Sequence, residues 1–168
     1  IIFGVYSFGL SDRVLIEYRV RQYEIFNSIF AAGVADIRML VYHHLPRMAM
    51  VRIPTVKSGS RANLHQGAIG VGVDLASGIL GLGYDYHRYL DIHPDTHVKF
   101  SGLQIPYWKE IIAICTKTGT AVPLKYLGID VVIDQIQGPL VIEINARPGL
   151  EIQNVNRQGL RPLLETKT

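Results

Sequence analysis

The sequence predicts an α+β fold, a mainly antiparallel sheet with one main flanking helix. Three observations predict it. Apolar and polar residues alternate with period two over several runs. Pairs of those runs are separated by short turn-like segments, as hairpin strands are. Among the 168 residues, one stretch alone carries apolar side chains at convincing helical spacing.

The elements follow in chain order. Arg13 to Val20 reads as a strand, with Val14, Ile16, Tyr18 and Val20 alternating with Arg13, Leu15, Glu17 and Arg19. Tyr23 to Ala32 reads as a short helix or a loop. Ile37 to Tyr42 and Arg47 to Ile53 form a hairpin turned at His43 to Pro46. Residues 54–63 carry Lys57, Ser58, Gly59, Ser60 and Arg61, a composition expected of a mobile surface loop and a candidate lid. Two near-repeats, GAIGVGVD from Gly67 and GILGLGYD from Gly78, read as hairpin strands separated by Leu75, Ala76 and Ser77. Their glycines do not follow the dinucleotide fingerprint, and in strands they point to a bulge or a close backbone approach. Tyr107 to Thr118 is the helix, with Pro106 before it, Trp108, Ile111, Ile112 and Cys115 on one face, and Gly119 as its stop. Leu127 to Asp134 and Pro139 to Asn145 complete the sheet around a turn at Gln135 to Gly138, and residues 158–168 are expected to fray. No linker divides the chain, so residues 1–168 read as a single domain.

Composition narrows the function classes. With 48% hydrophobic and 18% charged residues the chain must fold rather than stay disordered. Its net charge of +3 comes from scattered basic residues, which suits an anionic small ligand and not nucleic acid. No apolar run approaches the roughly 20 residues of a membrane span, and the amino terminus has no signal-peptide pattern. The single cysteine, Cys115, excludes an internal disulfide and is expected to pack, which fits the cytoplasm. Because the chain starts at Ile1 inside an apolar run, it reads as truncated, processed or partly ordered.

Chemistry concentrates in the last hairpin. Alternation places Glu143 and Asn145 on one face of their strand, and pairing Asp134 with Pro139 would bring Asp130 opposite Glu143. Two carboxylates so close, flanked by Ile129, Val131, Ile142 and Ile144, call for a cation between them. All-oxygen donors suit magnesium. On spacing alone, a solvent-facing hairpin is an equally good reading. Arg147, Pro148 and Gly149 favour the site, since they set a cation just beyond Asn145 and then stiffen and turn the backbone.

The segments GIDVVID and GPLVIEINARPGLEIQ resemble the end of the alpha-L-glutamate ligase-like branch of the ATP-grasp enzymes. VLIEYRV, GVADIRMLVY, MAMVRIPT, RANLHQGAIGVGVDL, HPDT and GLQIPYW agree with it in order along nearly the whole chain. The resemblance implies an ATP-grasp carboxy-terminal lobe of a carboxylate-amine ligase, related to ribosomal-protein glutamate ligases, that forms an amide through an acyl phosphate. Carried over by position, it implies adenine contacts at Glu17 and Tyr18, further nucleotide contacts at Asp36, Arg61, Ala62 and Asn63, and metal ligands at Asp130, Glu143 and Asn145. The implied cofactors are ATP and Mg2+, with Mn2+ as a substitute. Arg38, Arg52 and Arg147 are the candidate catalytic cations, because a carboxylate attacking phosphorus needs its charge neutralised. The implied partners are a carboxylate acceptor, an amino-acid donor and an amino-terminal lobe carrying the phosphate-covering lysines, with the homo-oligomeric state open. The rival function is a non-catalytic lobe that binds a peptide or another anionic ligand.

Weaker signals favour bland readings. His87, His93 and His97 with Asp91 and Asp95 lack the spacing of a standard zinc site and read as a polar loop. His65 is the stronger histidine, being next to Arg61 to Asn63, although a turn histidine is commoner. His43 and His44 are expected to face water.

Overall fold

The computed structural model describes residues 16–165. Its centre is a sheet of seven strands in the order β5-β4-β3-β2-β1-β6-β7, every adjacent pair antiparallel. The strands are β1 (Asp36–Tyr42), β2 (Leu45–Ile53), β3 (Ile69–Val73), β4 (Leu80–Tyr84), β5 (Tyr89–Leu90), β6 (Tyr126–Asp134) and β7 (Gly138–Asn145). Helix α1 (Glu24–Ile29) precedes the sheet, α2 (Trp108–Ala121) crosses between β5 and β6, and α3 (Glu151–Asn156) and α4 (Leu160–Glu165) follow. The α+β class, the antiparallel sheet and the dominance of one helix agree with the sequence. Among the described residues, no helix is long and apolar enough to cross a membrane.

Period-two alternation sorts the strand side chains onto two covered faces. Ile37, Met39 and Val41 of β1 join Val51, Ile129 and Val131 under α1 and α2 in the larger core. Leu40, Met48 and Met50 point the other way, onto Ile152, Val155 and Leu160 of α3 and α4. Each such fully buried side chain contributes about 1.5–3 kcal/mol relative to exposure. The expected close backbone approach at the strand glycines occurs on the α3 face. A β-carbon on Gly70 would lie 2.6 Å from Val155, and one on Gly72 3.1 Å from Asn156. The two missing side chains let α3 lie directly on β3, and Asn156 fastens it by donating to the Ala49 carbonyl and accepting from the Val73 N–H.

The structure moves several expected boundaries. The strand expected over Arg13 to Val20 lies partly outside the described residues, and residues 16–20 join no ladder; the first backbone pairing with the sheet among the described residues is an isolated bridge, Gln22 to Asp134. The first hairpin turns tightly at His43 and His44, both at positive φ (47° and 68°), so Leu45 and Pro46 belong to β2. His44 Nδ1 meets the Gly119 carbonyl at 2.8 Å instead of facing only water. Gly119 does not stop α2, which runs on to Ala121. It is buried there, and a β-carbon would lie 2.8 Å from Val41, so this glycine serves helix-to-sheet packing. Cys115 is buried on the same helix, where burial pushes its thiol up to about 12 and leaves it unreactive, as its apolar setting suggested.

Candidate functional site

Four charged side chains form a row across β2, β1 and β6 on the α3 face. Register sets them there: Asp36 lies opposite Arg52, Arg38 opposite Asp130, and Asp130 opposite Glu143. Arg38 grips Asp130 with two bonds, Nε to Oδ1 and Nη2 to Oδ2, the latter at 2.7 Å. Arg52 holds both oxygens of Asp36 at 2.6 and 2.7 Å and also reaches Asp130 Oδ2 at 2.8 Å. The two arginines and two aspartates cancel in charge. Asp130 is 1% exposed and Asp36 7%, so the pairing takes place largely out of water, where planar bidentate guanidinium contacts are strongest. Neither arginine is the solvated strand charge that a lone Arg in a strand usually is.

This network supplies the positive charge that the sequence argument assigned to a bound cation. Asp130 and Glu143 do face each other, but β7 is an edge strand, Ile142 and Ile144 are 53% and 42% exposed, and Glu143 is exposed as well. The apolar enclosure expected around the two carboxylates is therefore absent on the β7 side. Among the described residues, no three His, Cys, Asp or Glu side chains cluster closely enough to hold a metal ion by themselves. The donor set still fits magnesium that is shared with phosphates. Asn145 lies within 3.4 Å of Asp130 through its Nδ2, which leaves its amide oxygen uncommitted, and Glu143 carries an exposed carboxylate beside it.

Beyond Asp130 on the same strand face lies Val132, which with Ile142, Val34, Glu17 and Tyr18 lines a cavity of about 990 Å³. Glu17 and Tyr18, the expected adenine contacts, therefore line one pocket with Arg19, Arg21, Gln22 and Asn27, and its wall residue Val132 stands two positions along β6 from Asp130. Asp134, which sequence reasoning passed over, ties this rim to β6. It accepts from the Arg21 N–H at 2.7 Å, the Tyr18 hydroxyl at 3.4 Å, and the Ile136 and Gln137 N–H groups at 2.8 and 2.9 Å. Desolvation pushes its carboxyl up, but these donors outweigh it and hold it at about 2. The signal was available, since an Asp directly before a tight turn commonly caps the following N–H groups. Gly33 closes the far rim, where a β-carbon would lie 2.3 Å from the Ser60 carbonyl, so the 54–63 loop abuts the cavity.

The remaining expected residues are less concentrated. Arg61, Ala62 and Asn63 sit on the loop joining β2 to β3, at the Arg52 end of the sheet. Asn63 spends its side-chain oxygen capping the short 3-10 turn Leu64–Gln66 at the His65 N–H, while Arg61 is exposed. Arg147 is exposed just past Asn145, held in place by buried Pro148, which packs where Gly128 has no side chain. His65 faces the Tyr86 hydroxyl at 3.0 Å. His93 is fully buried rather than part of a polar loop: Nε2 lies 2.9 Å from the Pro54 carbonyl and Nδ1 accepts from Asp95 and Thr96 N–H groups.

Asp36 gives the network a pH signature. Desolvation, opposed by the bonds from Arg52, raises its carboxyl from 3.8 to about 6. An acid raised on folding contributes stability that is full below its unfolded value near pH 4 and lost as pH rises through about 6. Parent and Asp36→Asn are therefore expected to diverge between pH 4 and 7, with the parent losing on the order of 2 to 3 kcal/mol relative to the variant. Urea unfolding at stepped pH checks this, and a constant difference across that range would contradict it.

Comparison with known proteins adds a family. The family described as sugar-transfer associated ATP-grasp matches residues 1–167. No curated protein matches the chain. The structure of the ATP-grasp ligase PsnB complexed with minimal precursor aligns at 13% identity and a TM-score of 0.41, covering 79% of this chain and 32% of that one. The chain thus spans about a third of that ligase.

Proposed function

The chain belongs to the sugar-transfer associated ATP-grasp family, and on that premise we propose that it works as an ATP-dependent carboxylate-amine ligase. In this reading a carboxylate acceptor is activated as its acyl phosphate and an amino-acid amine then displaces the phosphate, forming an amide in the cytoplasm. The carrying observation is the alignment of the Glu17 and Tyr18 cavity with the Asp130, Glu143 and Asn145 row along one sheet face. Val132, Ile142 and Val34 would hold the adenine, and Asn145 would meet the phosphates. Magnesium bound there neutralises phosphate charge and orients the transferring group. Glu143 and the Asn145 amide oxygen are its nearest donors; Asp130, gripped by two arginines, orients Asn145 and completes the acidic set. Arg38 and Arg52 are positioning residues, whereas Arg147, exposed and beyond the metal donors, is the cation free to meet the transferring phosphoryl group. Arg61 and Asn63 border the nucleotide from the loop above.

A second reading rests on one observation: both Asp130 oxygens already accept from arginines. A lobe wired in this way is also suited to holding an anionic ligand without turning it over. Phosphate release that depends on both an added carboxylate and an added amine separates the two readings.

Calorimetry with Mg-ADP tests the site itself. Glu143→Gln and Asn145→Ala change an edge strand and leave the arginine bonds to Asp130 in place, so the fold should survive. Each is expected to weaken Mg-ADP binding by at least roughly tenfold, the loss that even outer-shell partners of a metal produce. Parent-like affinity in both variants would remove the metal assignment.

A further inference from the structure

Arg47 stands apart from the other strand arginines. Leu40 pairs with Met48 and Val41 with Pro46, so a bulge sets Arg47 out of the β1 ladder and re-aims its side chain. Its Nε is sealed from solvent without a hydrogen-bond partner, and no carboxylate meets its guanidinium among the described residues. A buried donor left unpaired carries a desolvation cost that an acceptor removes. Arg47 borders a cavity of about 590 Å³ whose other walls include Leu45, Leu75, Trp108 and Ile112, and whose only second charge is Lys109. No acidic side chain lines it. The Trp108 Nε1–H is already spent on the Leu75 carbonyl at 2.9 Å, so the two cations are the cavity's charged donors. A second cavity of about 660 Å³ touches Arg47 and Arg157 but includes Asp74, which suits it less to an anion.

We infer that the Arg47 cavity binds a small amphipathic carboxylate. The carboxylate sits on Arg47 and Lys109, and an aliphatic body covers Trp108, Leu75 and Ile112. The pairing gives the half-buried Arg47 guanidinium a charge-assisted bond while it removes exposed apolar surface from water. The site is near the start of β2, five positions before Arg52, and does not depend on the nucleotide reading.

Trp108 is the only tryptophan of the chain, so its emission reports occupancy directly. The full chain is titrated with octanoate, with octanol as the uncharged arm and acetate as the arm without a body. A saturable emission change with octanoate is expected, with octanol and acetate at least tenfold weaker. Arg47→Met should weaken octanoate at least tenfold, and Arg47→Lys by less. Lys109→Ala alters an exposed side chain, so it tests the site even if Arg47→Met fails to fold, and should cost several-fold. Equal binding of octanoate and octanol, an unchanged emission up to the solubility limit, or parent-like affinity in both Arg47→Met and Lys109→Ala would overturn the inference.

Discussion

Asp130→Ala is expected to destabilise the fold by about 3–5 kcal/mol, the range for removing one partner of a buried ion pair. Three guanidinium hydrogen bonds converge on this carboxylate, from Arg38 Nε and Nη2 and from Arg52 Nη2. Arg52 would retain Asp36, but Arg38, 8% exposed, would be left with a buried charge and without its salt-bridge partner. A domain typically has about 5–15 kcal/mol in total, so the loss is a large fraction of it. Urea unfolding at an unchanged m-value measures it. The variant Asp130→Ala with Arg38→Met should recover part of the loss, because the stranded cation is then gone. A loss below about 1 kcal/mol for Asp130→Ala would mean that the quartet is solvated in solution, against its burial in the structure.

Gly78→Ala is expected to cost about 3 kcal/mol or more, from overpacking combined with a left-handed backbone. Gly78 has φ +75°, and a β-carbon there would lie 2.3 Å from the Trp108 ring. The backbone has no freedom to retreat, since its N–H donates to Asp74 at 2.8 Å and its carbonyl accepts from Ile105 at 3.0 Å. Trp108, 6% exposed, is held by its own bond to Leu75. The midpoint of thermal unfolding should fall by roughly 6 to 12 °C for a chain of this size. Gly59→Ala is the control: φ is +60° with nothing within 4 Å, so it carries the backbone strain alone and should cost about 1 kcal/mol. Equal losses for the two would show that the ring contact contributes nothing.

Residues whose roles are set within their own hairpin were legible in the sequence. Asp130 does lie opposite Glu143, although by a different route: the turn pairs Asp134 with Gly138, and a bulge at Ile142 restores the expected partner. Two offsets cancelled. Both uses that the sequence offers for the strand glycines occur, a close backbone approach at Gly70 and Gly72 and a register shift between Val71 and Val73. Gly119 was misread, since local pattern cannot distinguish a helix stop from a packing contact with Val41. The arginine partners of Asp130 were not legible either. Arg38 is 92 positions away, and nothing in either segment says that β1 and β6 are neighbours. The burial of His93 is not legible because it depends on Phe30, which a distant segment brings to it.

The strand order has a kinetic consequence. Strands β1 to β5 are joined in sequence as one meander and β6 with β7 as a separate hairpin, and the two sheet blocks meet only along the β1 and β6 ladder. Contacts within each block close short loops, whereas the seam must close a chain of some eighty residues and carries the larger loop-closure cost, as expected of a slow step. The seam is also where Arg38 and Arg52 of one block meet Asp130 of the other. Before docking, the hairpin carries an unpaired aspartate on its future seam and the meander carries two arginines for one aspartate. Opposite charges on the two blocks favour their association, and the charged row is incomplete until the seam has closed.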